Sequence, residues 1–194
     1  FTLTMEIKKL ILPSTNILIL ENHGLIVAGD DIEDTYKLLL KIHKKLDLIR
    51  NEKLACDYLE KITNIDGYIH KNTDKYKLFS TQNEKLFSLF SKSFYPDHVI
   101  FLGPGIPTFL EEKEAIEFIQ NLKRKNIDLP PYLILKYKGL FENTLAIPAA
   151  KEMIDCFLEV LLRIDLSKSL KILSSQQESE LLNWDIEIYR QSIN

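Results

Sequence analysis

Cysteine is nearly absent from this chain. Its two copies, Cys56 and Cys156, stand far apart, each in a helical pattern among apolar neighbours, and neither belongs to a Cys-x-x-Cys pair. A disulfide framework and a zinc knuckle are thereby excluded, and both thiols are expected to be reduced and buried. Long apolar runs are missing as well: no stretch approaches the roughly 18 residues of a membrane helix, and no secretory leader pattern is seen. The expectation is no membrane partner and, by default, a cytoplasmic location.

Nor is there a surplus of one charge. Lysine and arginine number 25 against 28 acids, a net charge of −3, and the two signs are interleaved along helical stretches. That balance leaves no electrostatic footprint for nucleic acid, so a small molecule or another protein is the expected partner. Histidine is scarce too. The four copies, His23, His43, His70 and His98, include no His-x-His pair.

What remains is ordinary globular material. With 194 residues, 45% of them hydrophobic, the chain can bury one substantial core or two small ones. It opens on Phe1 rather than Met and enters an apolar helical pattern directly, so the C-terminal part of a longer protein is expected.

Periodicity and punctuation suggest an α/β chain, a mixed sheet flanked by helices, in two small units. Met5, Leu10, Ile11 and Leu12 mark a short helix ended by Pro13-Ser14-Thr15. Asn16 to Leu20 and Leu25 to Ala28 read as two buried strands joined by a hairpin turn at Glu21-Asn22-His23-Gly24. Asp30 with Glu33 has the form of a capping box. The helix it opens is expected to run to about Ile62, with Ile32, Tyr36, Leu39, Ile42, Leu46 and Ile49 as its core stripe. The polar stretch Asn64 to Ser80 is the expected boundary, separating a first unit (1–70) from a second, smaller one (84–194).

In the second half the pattern gives a helix at Glu84 to Phe94, a strand at His98 to Leu102 and a helix at Glu111 to Lys125. A strand at Tyr132 to Tyr137, a helix at Pro148 to Ile164 and a closing acidic helix with Trp184 follow. Two segments match without a gap 115 residues apart, pairing Ile19 with Ile134, Leu20 with Leu135, Gly24 with Gly139, Leu25 with Leu140 and Ile32 with Ile147. The chain thus reads as two unequal copies of one helix, strand, glycine turn, helix unit. Lys138 stands in the second copy where His23 stands in the first.

An imidazole beside the hairpin glycine raises the question of a metal. Read alone, a turn histidine is more often a backbone hydrogen-bonding partner than a ligand, and a catalytic zinc wants about three protein ligands. In an extended strand Glu21, two residues before His23, would point to the same face and share a cation; a turn starting at Asn22 would break that alignment.

The run LILENHGLIVAGDDIEDTYKLLLKI resembles the class II aldolase/adducin family in its C-terminal half: a strand, Asn22-His23-Gly24, an apolar strand ending in Gly, then an acidic helix start. The likeness spans residues 16 to 50, with a looser one over 85 to 194 in YPDHVIFLGP and ELLNWDIEIYRQSIN. It implies that His23 is a ligand to zinc or another divalent metal in the parent protein. It also implies a metal-dependent lyase acting on a phosphorylated sugar or a small aldehyde or ketone, and assembly into a homo-oligomer. The metal would polarise a carbonyl and stabilise an enediolate, and a glutamate would move the proton. The family's His-x-His pair and catalytic Glu are missing from these residues, so this chain alone should be inactive. The adducin side of the family implies an alternative, a non-catalytic binding or oligomerisation module.

Other features favour plain structure. Gly103-Pro104-Gly105 reads as a loop rather than a phosphate cradle, since proline removes a donor. Lys123-Arg124-Lys125 reads as a solvated helix end, and Phe87, Phe90 and Phe94 as core. Trp184, Tyr189 and Leu181 suit either packing within the chain or docking on a subunit.

Overall fold

The structure, a computed structural model, describes residues 2–46, 50–51 and 64–185. Two compact units make up the chain, residues 1–48 and 49–194. In the first, helix α1 (Thr2–Leu10) leads through the Pro13 turn to strands β1 (Ile17–Leu20) and β2 (Gly24–Val27), followed by helix α2 (Ile32–Leu46). The strands pair antiparallel, Ile17 opposite Val27 and Leu20 opposite Gly24, so the expected hairpin is present.

The expected burial is not. Ile42 alone is buried among the described residues of this unit; Ile32 is 90% exposed, and Tyr36, Leu39, Leu46 and Ile19 are exposed too. Helical spacing puts apolar side chains on one face but does not supply the surface that covers it. The cap also shifts by one residue: Asp31 Oδ1, not Asp30, accepts the Asp34 N–H at 2.8 Å. Arg50 and Asn51 are not helical, so α2 does not continue unbroken to Ile62; Ile49 and Cys56 lie outside the described residues.

The second unit holds a four-stranded mixed sheet in the order β3 (Tyr68–His70), β6 (Gly139–Asn143), β5 (Tyr132–Leu135), β4 (Thr108–Phe109). β4 is parallel to β5 and the other pairs are antiparallel. Every residue of β5 and β6 is buried, which is why β5 reads YLIL without alternation: helices cover both faces. On one face Tyr132, Ile134 and Leu140 meet Leu86, Phe87 and Phe90 of α3 (Glu84–Phe90) and Ile154 and Phe157 of α6 (Pro148–Arg163). On the other, Leu133, Leu135 and Phe141 meet Ala115 and Ile119 of α5 (Glu112–Arg124). The architecture is α/β, as expected, and the three phenylalanines are core.

Three expectations for this unit change. Asn64 to Ser80 does not separate the units; it supplies β3 and a 3₁₀ helix, Asp74–Ser80, to the second. His98 to Leu102 is not a strand but most of helix α4 (Pro96–Leu102), begun by a proline in its first turn. All five residues are buried, and a short apolar run buried all round carries no period to separate helix from strand. Cys156 is a free thiol but exposed on α6. The last described helix, α7 (Ser175–Leu182), starts at a Ser174/Gln177 capping box and stops before Trp184, which is exposed; Tyr189 lies outside the described residues. Among the described residues no helix is long and apolar enough to cross a membrane.

Candidate functional site

The His23 turn comprises Glu21, Asn22 and His23 between paired Leu20 and Gly24. Asn22 takes φ +58° and Gly24 φ +140°, the positions where Asn and Gly are best tolerated. The His23 N–H closes the turn on the Leu20 carbonyl at 3.1 Å. The ring folds back, and Nδ1 lies 3.0 Å from the Glu21 carbonyl. A carbonyl only accepts, so Nδ1 carries a proton, and in the neutral form of this exposed ring the lone pair is then on Nε2. That is the tautomer a metal-ligating histidine needs.

The turn already includes Glu21, so strand alternation does not align its carboxylate with the ring. The remaining histidines are dispersed: His43 on α2, His70 on β3 and His98 within α4. Among the described residues no group of three His, Cys, Asp or Glu side chains is placed to hold a metal. The fit to a metal is therefore that of one ligand in the right state, not of a centre.

The second hairpin repeats the first. Lys136, Tyr137 and Lys138 form its turn between paired Leu135 and Gly139. Tyr137 takes φ +64° and Gly139 φ +95°, and the Lys138 N–H reaches the Leu135 carbonyl at 3.1 Å. Lys138, the counterpart of His23, pairs with Glu112 at 3.3 Å, and its carbonyl accepts from His70 Nε2 at 2.6 Å. The His70 ring stacks on Phe141. This turn is braced by its neighbours and presents no imidazole lone pair to solvent.

A polar network that the sequence did not reveal surrounds Glu142 on β6. Its carboxylate accepts from the Tyr132 hydroxyl at 3.1 Å and pairs with Lys71 at 3.2 Å and Lys151 at 3.6 Å. Beside it the Tyr76 hydroxyl donates to Asp155 at 2.8 Å, and Lys75 closes on the same carboxylate at 2.6 Å. Burial first, then the neighbouring carboxylates, pushes both phenols above the usual range. The only signal in the sequence was a glutamate in an otherwise apolar run. Each of these carboxylate contacts is to a cation or a hydroxyl, which is the composition of a structural network.

His98 is fully buried, edge-on to Phe157, and neither ring nitrogen has a hydrogen-bond partner. Burial alone pulls its pKa down to about 4, so the ring is neutral at pH 7. At Gly103-Pro104-Gly105, the Gly105 N–H is already spent on Ser93 Oγ at 2.9 Å, as a plain loop requires. A cleft of about 690 Å³ lies between the ends of α5 and β6, lined by Phe101, Ile127, Leu129, Leu145 and Ile147 with Lys123 at its edge. Lys123 is engaged by Asp66 at 2.6 Å.

Compared with protein-family models, with curated proteins and with solved structures, the chain matches none of them.

Proposed function

We propose that this chain contributes one ligand, His23, to the divalent-metal centre of a class II aldolase-like lyase acting on a phosphorylated sugar or a small carbonyl compound. The reading rests on the sequence around Asn22-His23-Gly24, and the single observation supporting it is the ring geometry. The Nδ1 contact to the Glu21 carbonyl fixes the proton of the neutral ring on Nδ1, so that Nε2 is its ligating nitrogen. Bound there, a divalent metal supplies Lewis acidity toward a carbonyl oxygen. The chain's own part is to present that nitrogen: Asn22 and Gly24 shape the turn, and the Glu21 carbonyl sets the tautomer. The remaining ligands and the base belong to polypeptide outside these residues, and the chain by itself is inactive.

The test is metal content of the purified chain and of the longer protein that carries it, each with His23→Ala. Loss of metal and of carbonyl-lyase activity from the longer protein on that substitution supports the reading. Full retention of both overturns it.

The second reading, a non-catalytic binding or assembly module, is favoured by a different observation: the apolar side chains exposed along β1, β2 and α2. It requires that His23→Ala leave partner binding and assembly size unchanged.

A further inference from the structure

The two hairpins share a turn, a register and a following helix, yet their surroundings differ. The outer edge of β6 carries an antiparallel strand, β3, and β6 is buried throughout. The corresponding edge of β2 pairs with nothing among the described residues. Its donors can be identified. The Ala28 N–H bonds the Asn16 carbonyl, and antiparallel bonding alternates, so the Leu25 and Val27 amides point away from β1 to the open edge. An open edge beside apolar side chains is a template for another strand.

The apolar surface next to that edge is large. Ile17 and Ile19, on the hairpin face that carries Leu25 and Val27, and Ile32, Tyr36, Leu39, Leu40 and Leu46 on α2 are between 37% and 90% exposed, while Ile26 is exposed on the other face. At about 200 Å² for each fully exposed large side chain, the seven on the α2 face offer roughly 800 Å², matching the roughly 800 Å² per partner of a stable interface. A soluble monomer's largest apolar patch is about 300–600 Å². Helix α2 lies along the Leu25/Val27 side of the hairpin, where Ile32, Tyr36 and Leu39 line a cleft of about 540 Å³ with those two residues.

The geometry points to a second copy of this chain as the occupant of the β2 edge. A two-fold axis normal to the hairpin pairs β2 with its symmetry mate antiparallel, the direction β3 takes along β6. The result is a four-stranded sheet with both α2 helices on one face, covering each other's apolar stripes. With Leu25 opposite Val27 of the mate, their outward amides and carbonyls bond in both directions. Ile26 then faces its own counterpart in a non-hydrogen-bonded pair, at a Cα separation of about 4.5 Å. This dimer does not depend on the metal reading, because no ligand takes part in it.

Light scattering and non-reducing electrophoresis of the 194-residue chain test it. The expected mass is twice the 22.6 kDa of one chain. In a Cys56→Ser, Cys156→Ser background, Ile26→Cys forms an interchain disulfide spontaneously, because the expected spacing suits one, while Ile19→Cys on β1 does not. Val27→Pro removes an outward donor and spares the β1 ladder, so it shifts the chain to monomer with an unchanged circular dichroism spectrum. If that variant fails to fold, the crosslink decides. A monomeric wild-type chain, or a dimer in which Ile26→Cys gives no crosslink, overturns the proposal.

Discussion

Replacing His98 by leucine should change how the protein responds to acid. The ring is fully buried against Phe157, without a hydrogen bond at either nitrogen, and burial lowers its pKa to about 4 from the ordinary 6.5. The unfolded chain takes up a proton near pH 6.5 and the folded chain only near pH 4. Between those values unfolding binds a proton, so stability is full above pH 6.5 and falls with pH as far as the folded value. At about 1.4 kcal/mol per pKa unit the loss is on the order of 2–3 kcal/mol by pH 4.5. Leucine cannot titrate and has no polar atoms to strand. The variant should be at least as stable as wild type at pH 7.5, because two unpartnered nitrogens leave the core. Urea unfolding followed by far-ultraviolet circular dichroism at pH 7.5 and pH 4.5 measures both points, and carboxylates common to the two proteins cancel in the difference. A wild type and variant that lose the same stability between these pH values would refute the reasoning.

Three further outcomes follow from the second unit. Gly105→Ala places a Cβ about 2.3 Å from the Ser91 carbonyl oxygen at φ +75°, whereas Gly67→Ala, at φ +86°, meets nothing within 4 Å. Thermal melts should show Gly67→Ala losing about 1 kcal/mol and Gly105→Ala at least twice that. Tyr132→Phe removes one donor from Glu142 while Lys71 and Lys151 remain, so chemical denaturation should show a loss of about 1 kcal/mol with the fold intact. Asn83 caps α3 by accepting the Leu86 N–H at 3.1 Å, and Asn83→Ala should cost about 1 kcal/mol in the same assay.

Where one signal sufficed, the sequence could be read directly. Proline and glycine punctuation located the turns after α1 and between β5 and β6, and helical spacing located α5, α6 and the start of α2 to within a few residues, though not the end of α2. Signals that depend on the partner surface misled. His98 to Leu102 is apolar at every position because α4 is buried all round, and nothing local separates that from a buried strand. The stripe on α2 is equally regular, yet four of its five described members are exposed, because periodicity says which side chains share a face and not whether anything meets it. Glu142 was illegible for the converse reason. Its partners Tyr132, Lys71 and Lys151 come from three other places in the chain, and only the fold brings them together.

The paired hairpins separate what a motif fixes from what it leaves open. Positive φ at the second turn residue and at the closing glycine is common to Asn22 and Tyr137, and to Gly24 and Gly139. The backbone therefore accepts either histidine or lysine at the third turn position and does not select the chemistry. That choice lies in the side chains around the turn. Lys138 has Glu112 within 3.3 Å and is held in an ion pair, while the exposed His23 ring turns its Nδ1 back on the Glu21 carbonyl. A lysine is a donor with no lone pair while charged, and a neutral imidazole with its Nδ1 proton engaged is a ligand at Nε2. If His23 is exchanged for lysine, the hairpin should persist and only the ligand should disappear. That makes His23→Lys a cleaner probe of metal chemistry than a substitution that disturbs the turn.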